Sequence, residues 1–329
     1  EHDPSDACRR VEFDNYLFQK AKEVGIEIFP ARVTELDFSD DGVMVFSESN
    51  NIKASLVVGA FGLDDGMAKI FERMTPYRQP KFLYSVVTKI HPGHRAMTDF
   101  GNYIHAFLPS SLPEVEFGAI TPKGNHLSVN IAGKRVDADT MDQFLNLKMV
   151  RKSLPVNLDD ILPELYYFKG KFPTSPAKGI FGNRYVMVGD AAGLNRPFKG
   201  KGINSAVFTG TRAAEVMIQH GISRRAFQEY LKNCCELMDD IPYGRMLRML
   251  TIQGSRLGFL APVFEVAKQE PSLKNALFFI VSGQKTYRRI WQETRSPRLF
   301  LRLFFKTLRL RLRRKKTYPD IYASRPSDS

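Results

Sequence analysis

A single carboxylate follows an apolar stretch of the chain. Residues 185–188 are apolar and predict a β-strand, and Asp190 comes two positions later, between Gly189 and Ala191. Ligands of open α/β sheets bind at the carboxyl ends of the strands, where a carboxylate can accept hydrogen bonds from a sugar hydroxyl. Small neighbours let the backbone and a ligand approach closely. The pattern predicts that Asp190 binds the polar part of a ligand.

A helix is predicted to begin near Gly202, a short distance after this carboxylate. The free amide groups of its first turn and the positive end of its dipole favour a ligand group that becomes anionic. The stretch around this carboxylate and helix start contains Gly189, Asp190, Gly193, Pro197, Gly200, Lys201, Gly202, Ile203 and Asn204. The alternative is that this segment forms only a strand, a turn and a helix cap and binds no ligand.

The order of these nine residues resembles a motif of known flavoproteins. The second FAD motif of the geranylgeranyl reductases and related FAD-dependent hydroxylases consists of a strand, G-D-A-A-G, a proline, G-x-G-I and a helix with A-A-E. Residues 189–193, Pro197, residues 200–203 and residues 213–215 match that motif in order. The resemblance implies that FAD is the cofactor and that these nine residues hold it.

Two further matches extend the resemblance. Residues 10–17 are similar to the family's R-x-x-F-D-x-x-L helix, whose arginine lies near the cofactor; here it is Arg10, which could also be a solvated surface residue. Residues 122–124 and 130–133 are similar to the F-P-K-G and N-V-G-x-G pair of the reductases, whose sheet faces the flavin and helps to hold a long isoprenoid chain. The substrate-binding residues implied in this way are Phe117, Ala119, Pro122, Lys123, Gly124 and Asn130.

The sequence departs from the family in three places. No GxGxxG occurs, although this loop carries the ADP half of FAD in the family. We therefore expect an N-terminal portion to be missing and FAD to bind this chain weakly or not at all. Phe61 replaces a family aspartate, and the Tyr-x-Trp of the family is replaced by Phe117, Gly118 and Ala119. The loss of a tryptophan predicts a wider pocket, so the particular substrate of the family cannot be assigned to this chain from the resemblance.

The composition is that of a folded protein with one unusual segment. Of 329 residues, 43% are hydrophobic and 25% charged, which is ample for a large core. The net charge is +13, and removing the ten Lys and Arg of residues 295–316, a segment without acids, leaves +3. The cysteines and histidines lack metal-ligand spacing, so no metal is expected. Three cysteines, an odd number, and no apolar run of 18 residues fit a reducing, cytoplasmic compartment.

The basic segment is predicted to form an amphipathic helix. Between residues 298 and 313, leucines and phenylalanines fall on one helical face and basic residues on another. We expect residues 295–316 to bind an anionic membrane surface, which would make the protein peripheral on the inner face of a membrane. The alternative is a helix packed on the domain with a solvated basic face. Nucleic acid is not expected as a partner, because the aromatic residues do not alternate with the basic ones.

The predicted fold class is α/β: a Rossmann-like FAD/NAD(P)-binding domain of the glutathione-reductase type, with an inserted antiparallel β-sheet and a C-terminal helical region. Residues 25–29 alternate like a strand. Breaks between the C-terminal helices are expected at Pro242, Pro262, Pro271 and Pro297. The expected segments are 1–66 and 173–222 for the FAD-binding domain, 67–172 for the inserted substrate domain, 223–294 for the helical region and 295–329 for the basic tail.

The resemblance implies an FAD-dependent oxidoreductase that reduces carbon–carbon double bonds of an isoprenoid or lipid-like substrate. A flavin monooxygenase shares the FAD motifs and is the alternative among enzymes, although the pair of residues 122–124 and 130–133 favours the reductase. A non-catalytic, membrane-associated fragment is the alternative from another class. The electron donor, whether NAD(P)H, ferredoxin or a quinol, is left open by the sequence.

Overall fold

The structure is a computed structural model that describes residues 10–197, 202–299, 301–306 and 309. Gly200, Lys201 and most of the basic tail lie outside the described residues. The strands are β1 (Val33–Phe38), β2 (Val43–Ser47), β3 (Ile52–Ala54), β4 (Val57–Gly59), β5 (Phe82–Ile90), β6 (His105–Phe107), β7 (Phe117–Lys123), β8 (His126–Gly133), β9 (Phe168–Pro173), β10 (Phe181–Gly182) and β11 (Tyr185–Met187). The α-helices are α1 (Arg10–Glu23), α2 (Asp65–Met74), α3 (His94–Phe100), α4 (Ala138–Leu145), α5 (Lys148–Arg151), α6 (Gly189–Ala192), α7 (Gly202–His220), α8 (Phe227–Asn233), α9 (Cys235–Arg256), α10 (Leu260–Ala267), α11 (Pro271–Ser282) and α12 (Tyr287–Thr294).

A small sheet with one parallel strand pair organises the part of the molecule that carries Asp190. β4 pairs in parallel with β11, so that Val58 lies opposite Val186, and β10 pairs antiparallel with β11. Helices α2, α7 and α8 pack on it and bury Phe71, Val216 and Phe227 in one core. Apolar side chains on both faces of β11 explain why this short strand is fully buried.

A separate antiparallel sheet of β1, β2 and β3 follows α1. The turn between Ser39 and Gly42 joins β1 to β2, and the Ser39 hydroxyl donates to the Gly42 carbonyl at 3.1 Å. The strand predicted at residues 25–29 is wrong. Residues 26–32 have no regular secondary structure, because no strand in the described part of the chain pairs with them.

A five-stranded antiparallel sheet, in the order β6-β7-β8-β5-β9, lies between the elements of the parallel pair in sequence. Alternation of side chains gives it two different faces. One face packs on α4 and α5 and buries Val86, Ile120 and Phe144. The other face carries Phe117, Ala119 and residues level with them, and lines a cavity.

The chain after β11 is helical, from α7 through α12. A break was expected at Pro242 and Pro262, but Pro242 lies inside α9 and Pro262 inside α10. Pro262 occupies the first turn of its helix, where the missing N–H has no intrahelical acceptor. Pro271 is the first residue of α11, and Pro297 is the first residue of the helical stretch that follows α12. The breaks predicted at these two prolines are therefore confirmed. No helix of the described residues is long and apolar enough to cross a membrane.

Candidate functional site

Asp190 lies on the short helix α6, just after the end of β11. The preceding residue, Gly189, has a φ of +59°, and a Cβ there would lie 3.2 Å from the Cβ of Ala206 on α7. The backbone N–H of Gly189 donates to the buried Thr209 hydroxyl at 2.9 Å. A glycine is therefore needed at this position, both for the left-handed backbone and for the close approach to α7.

The carboxylate of Asp190 lies at the first turn of α7. A Cβ added to Gly202 would lie 3.3 Å from Oδ1 of Asp190 and 3.7 Å from Oδ2. Oδ1 also accepts a hydrogen bond from Nδ2 of Asn195 at 3.4 Å, a long bond, and a carboxylate can accept several more. Burial raises the pKa of Asp190, whereas the charge of Arg10 acts in the opposite direction. The site thus places a half-buried carboxylate beside the first turn of α7.

The structure does not bring Arg10 into hydrogen-bond contact with Asp190. Nε of Arg10 instead donates to Asp14 at 2.6 Å, and the arginine side chain is 69% exposed. Helix α1 has no buried residue, so its orientation is not fixed by a core contact. Arg10 therefore acts on Asp190 only through space.

The turn after Asp190 is shaped by contacts to protein. Gly193 has a φ of +65° and ends α6, and a Cβ there would lie 2.4 Å from the carbonyl oxygen of Ser175. Pro197 is buried, and its Cδ lies 3.0 Å from a Cβ added to Gly244 on α9. These two predicted cofactor residues set the path of the turn. Ile203 and Asn204 are exposed on the first turn of α7.

Arg196 fastens this turn to the C-terminal helices. Its guanidinium donates to the carbonyl of Gly283 after α11, to the carbonyl of Lys285 at 3.1 Å and to Oδ2 of Asp240 on α9 at 3.4 Å. Its Cζ lies 5.3 Å from the ring centroid of Tyr287 on α12. Arg196 was not among the predicted site residues, because its partners are more than 40 positions away and no local pattern indicates them.

Phe61 explains one departure from the family. Its ring stacks on Phe71 at 5.4 Å between centroids and meets Tyr77 edge-on at 5.9 Å. The hydroxyl of Tyr77 in turn donates to the carbonyl of Ala191, next to Asp190, at 2.9 Å. Phe61 thus packs in the core against Tyr77, and the Tyr77 hydroxyl is hydrogen-bonded to the turn that carries Asp190.

A large apolar cavity, of about 1380 Å³, lies between the five-stranded sheet and helices α9 to α12. Its walls on the helical side include Leu250, Phe259, Val263, Leu277 and Trp291. None of these helical residues was among the predicted substrate-binding residues, because an amphipathic helix shows which face is apolar but not what that face covers. Its volume exceeds the range usual for small-molecule sites. The cavity can therefore enclose a long apolar ligand.

Four of the six predicted substrate-binding residues line this cavity: Phe117, Ala119, Lys123 and Asn130. Pro122 and Gly124 do not. Pro122 alternates to the opposite face of β7, and Gly124, with a φ of +60°, forms the turn between β7 and β8. Within the described residues, no group of three or more His, Cys, Asp or Glu side chains could hold a metal ion.

A partly buried ion pair joins the sheet to the helices. A guanidinium nitrogen of Arg248 on α9 contacts the carboxylate of Glu116, which directly precedes β7. The hydroxyl of Ser255, near the end of α9, donates to the carbonyl of Leu108 after β6 at 2.8 Å. These contacts hold α9 against the β6–β7 side of the sheet, beside the cavity.

No protein-family model matches the chain. It is 25% identical over 266 residues to the digeranylgeranylglycerophospholipid reductase of Methanococcus vannielii, an alignment that covers 72% of this chain and 63% of that protein. It is also 25% identical over 235 residues to digeranylgeranylglycerophospholipid reductase 1 of Methanococcoides burtonii, covering 67% of this chain and 55% of that protein. The chain thus spans roughly three fifths of the length of these relatives.

Solved structures share the fold. A geranylgeranyl bacteriochlorophyll reductase-like protein from Thermoplasma acidophilum matches with a TM-score of 0.60 and 16% identity, over 94% of this chain and 74% of that one. A flavoprotein/dehydrogenase from Cytophaga hutchinsonii matches with a TM-score of 0.63 and 16% identity, over 92% and 75%. These matches confirm the predicted fold class, a Rossmann-like FAD-binding architecture with antiparallel sheets and a helical C-terminal region. The chain is therefore similar in sequence to digeranylgeranylglycerophospholipid reductases and in fold to a geranylgeranyl bacteriochlorophyll reductase-like protein and a flavoprotein.

Proposed function

We propose that the protein is an FAD-dependent oxidoreductase that reduces carbon–carbon double bonds of an isoprenoid or lipid-like substrate. The observation that carries this proposal is the apolar cavity of about 1380 Å³, which is lined by the sheet residues that the family resemblance associates with the substrate. Apolar surface of this extent favours a hydrocarbon chain, because the chain leaves water on entering. The names of the relatives, digeranylgeranylglycerophospholipid reductases, support a substrate of this kind.

The residues around Asp190 fit the flavin half of FAD. A half-buried carboxylate, a helix that begins at Gly202 and the absence of a side chain on that glycine leave room for a polyhydroxylated chain beside the carboxylate. Asp190 would accept hydrogen bonds from the ribityl hydroxyls, and the amides of the first turn of α7 would face the ring system. Reduced FAD, if bound, would supply the hydride that the reduction needs, and an electron donor would return the flavin to its reduced form.

The protein itself would position the substrate chain in the cavity and exclude water from it. Phe117, Ala119 and Asn130 lie on the sheet face that lines the cavity, and Leu250 and Trp291 close it from the helical side. A chain held between these two walls has few orientations available, which reduces the entropy lost in reaching a reactive arrangement. Arg196 fixes the turn after Asp190 to the same helices, so cofactor site and substrate cavity share one framework.

The experiment is a turnover assay of the protein expressed from its complete reading frame, with added FAD and a chemical reductant. A geranylgeranyl lipid is incubated anaerobically, and products are identified by mass spectrometry. We expect products that have gained two hydrogen atoms per reduced double bond. A hydroxylated product that forms only with oxygen would contradict the reductase assignment and favour a monooxygenase. The absence of any product from flavin-loaded protein would contradict both the reductase and the monooxygenase assignment.

We also propose that the basic tail attaches the protein to an anionic membrane. Residues 301–306 are helical, and Leu301, Phe304 and Phe305 are each more than half exposed. Arg302 and Lys306 lie on the same short helix, and each basic side chain near an anionic bilayer contributes about 1 kcal/mol. Phe304 also lines the cavity, so the same segment joins the proposed membrane contact to the substrate site.

Vesicle flotation tests the attachment. Protein with and without residues 295–329 is mixed with vesicles that contain phosphatidylglycerol or only phosphatidylcholine. The intact protein is expected to float with the anionic vesicles at low salt, and the truncated protein is expected to stay behind. Equal flotation of the two proteins would refute a role of the tail.

A further inference from the structure

Helix α9 contains two glycines, Gly244 and Gly254, and Gly258 follows its end. A Cβ added to Gly244 would lie 2.6 Å from the ring of Tyr287 on α12, so close packing explains this glycine. Gly258 has a φ of +73°, the left-handed conformation that favours glycine just after a helix. The fold therefore requires a glycine at these two positions.

Gly254 has neither of these reasons to be a glycine. It lies in the last turn of α9, and its φ is not positive. The atoms nearest to an added Cβ belong to Leu260 and Phe259, at 3.9 Å and 4.0 Å, which are ordinary van der Waals distances. Since glycine is the poorest helix former after proline, a side chain at this position would favour the helix.

The hydrogen bonds at the end of α9 make the missing side chain more conspicuous. The N–H of Phe259 donates to the carbonyl of Gly254 at 2.7 Å, and the N–H of Gly258 donates to the carbonyl of Ser255 at 3.0 Å. These two bonds form a Schellman motif, in which an apolar side chain at the position of Gly254 commonly packs on the residue at the position of Phe259. Gly254 forgoes that contact, so the stability of the helix end does not explain it.

Gly254 lies in the middle of the face that α9 turns to the cavity. Residues three, four and seven positions apart share one face of a helix. The cavity-lining neighbours at these spacings from Gly254 are Leu247, Leu250, Thr251 and Leu257. Larger side chains thus surround a position that has none, and the cavity reaches the backbone of α9 there.

The gap at Gly254 adjoins two parts of the cavity wall. The hydroxyl of the next residue, Ser255, donates to the carbonyl of Leu108, a cavity-lining residue that follows β6 on the sheet side. Leu260, which lies 3.9 Å from the Cβ position of Gly254, is the first residue of α10 and also lines the cavity. Gly254 therefore lies where the sheet part of the cavity meets the part formed by α10 and α11.

We propose that Gly254 is a specificity-determining residue, which sets the length of the hydrocarbon chain that the cavity accepts. Its missing side chain keeps the sheet part and the α10–α11 part continuous, so that one chain can contact both Ala119 and Val263. The inference rests on the proposed function and adds the residue that selects for chain length. A leucine at position 254 would fill the gap, and a long chain would then lose the apolar surface that it buries in one of the two parts.

The single tryptophan of the 329-residue chain makes the test independent of catalysis and of FAD. Trp291 lines the cavity, so its fluorescence reports a ligand that enters there. Geraniol, farnesol and geranylgeraniol, prenyl alcohols of increasing length, are titrated separately below their critical micelle concentrations. We expect the affinity of the wild type to increase with chain length, because a longer chain buries more apolar surface.

The test variant is Gly254→Leu. Its affinity for geranylgeraniol is expected to fall about tenfold or more, whereas its affinity for geraniol is expected to stay within a factor of about two. The matched control is Gly210→Leu, in the interior of α7. Gly210 does not line the cavity, and nothing lies within 4 Å of a Cβ added there, so all three affinities should stay at their wild-type values.

A second variant, Gly254→Ala, separates ligand selection from a need of the fold and serves where Gly254→Leu does not fold. Its Tm without ligand is expected to rise by about 1–3 °C, as in Gly210→Ala, because alanine favours a helix. Its affinity for geranylgeraniol is expected to fall about two- to fivefold, with geraniol unchanged. A Tm below that of the wild type would show that the fold itself needs this glycine and would overturn the assignment.

The outcomes also distinguish this inference from the proposed function. If the wild type binds the alcohols but the Gly254 variants bind geranylgeraniol as tightly as the wild type, Gly254 does not select chain length and the lipid cavity stands. Equal weakening of all three alcohols would make Gly254 an ordinary part of the wall and would also overturn the inference. If no alcohol changes the Trp291 fluorescence of the wild type, both the lipid cavity and the role of Gly254 are wrong.

Discussion

Gly202 and Asp190 are in near contact, since a Cβ added to Gly202 would lie only 3.3 Å from Oδ1 of Asp190. The first turn of a 19-residue helix and the carboxylate that follows β11 are thereby brought to one place. A Cβ at that distance would press on the carboxylate, which would have to shift by a few tenths of an ångström. The site accordingly depends on a glycine as much as on the aspartate.

A methyl group at Gly202 should weaken flavin binding without unfolding the protein. In Gly202→Ala the new Cβ displaces the Asp190 carboxylate, and we expect the Kd for FAD to rise about five- to tenfold, equivalent to about 1 kcal/mol. Fluorescence titration of the protein from its complete reading frame measures this. Gly210→Ala is the control, because it lies in the same helix with nothing within 4 Å of its Cβ, and it should leave the Kd unchanged.

Asp190 should lower the stability of the cofactor-free protein at neutral pH. Burial raises its pKa in the folded state above the unfolded value, so the folded state is disfavoured once the pH rises through that raised pKa. Asp190→Asn is therefore expected to raise the Tm at pH 7. The gain should vanish below pH of about 4, where the carboxyl is protonated in both states. Thermal melts without FAD across this pH range measure the Tm of both proteins. A lower Tm for Asp190→Asn than for the wild type at pH 7 would mean that Asp190 is a stabilising ion-pair partner.

Removing Arg196 should destabilise the fold far more than removing Arg288. Arg196→Met leaves the buried Asp240 without its guanidinium partner, and we expect a loss of about 3 kcal/mol in the free energy of unfolding. Arg288→Met breaks only an exposed contact to Asp239, 3.8 Å long, and should cost less than about 1 kcal/mol. Urea denaturation of both variants gives the comparison. Similar losses for the two would mean that the Arg196 contacts do not fasten the turn.

Filling the cavity should change which substrates are accepted. Ala119→Trp places a large ring on the sheet face that lines the cavity, and we expect turnover of long prenyl chains to fall about tenfold while short chains are retained. Gly118→Ala is the contrasting variant. Its Cβ would lie 2.4 Å from the Phe144 ring on the other face, so it should cost about 1–3 kcal/mol of stability without altering chain-length selectivity. Unaltered selectivity in Ala119→Trp would place the substrate elsewhere.

The local part of the site was predictable from the sequence, and the long-range part was not. An apolar strand, Asp190 and the helix that begins at Gly202 lie close together along the chain, so pattern and residue type suffice to predict them. The partners of Arg196 and the role of Phe61 depend on packing between distant segments. The strand predicted at residues 25–29 failed for the same reason, because a strand also needs a partner.

The cavity illustrates the same limit. The family resemblance singles out Phe117, Ala119 and Asn130, which lie on one face of the sheet in the structure. It cannot indicate that α9 to α12 cover that face, because the contacts that hold them there, such as Arg248 with Glu116, join residues far apart in sequence. Pro122 was assigned to the substrate from a motif, although the strand alternation turns it away.

The central claim is that Asp190 holds the flavin half of FAD, and the flavin content of purified protein tests it most directly. Wild type and Asp190→Ala, both expressed from the complete reading frame, are purified in parallel, and their FAD is released and measured by absorbance and chromatography. The account predicts a yellow wild type with FAD and a variant that retains less than about a tenth of it. Equal FAD content in the two, with both proteins folded by circular dichroism, would contradict it.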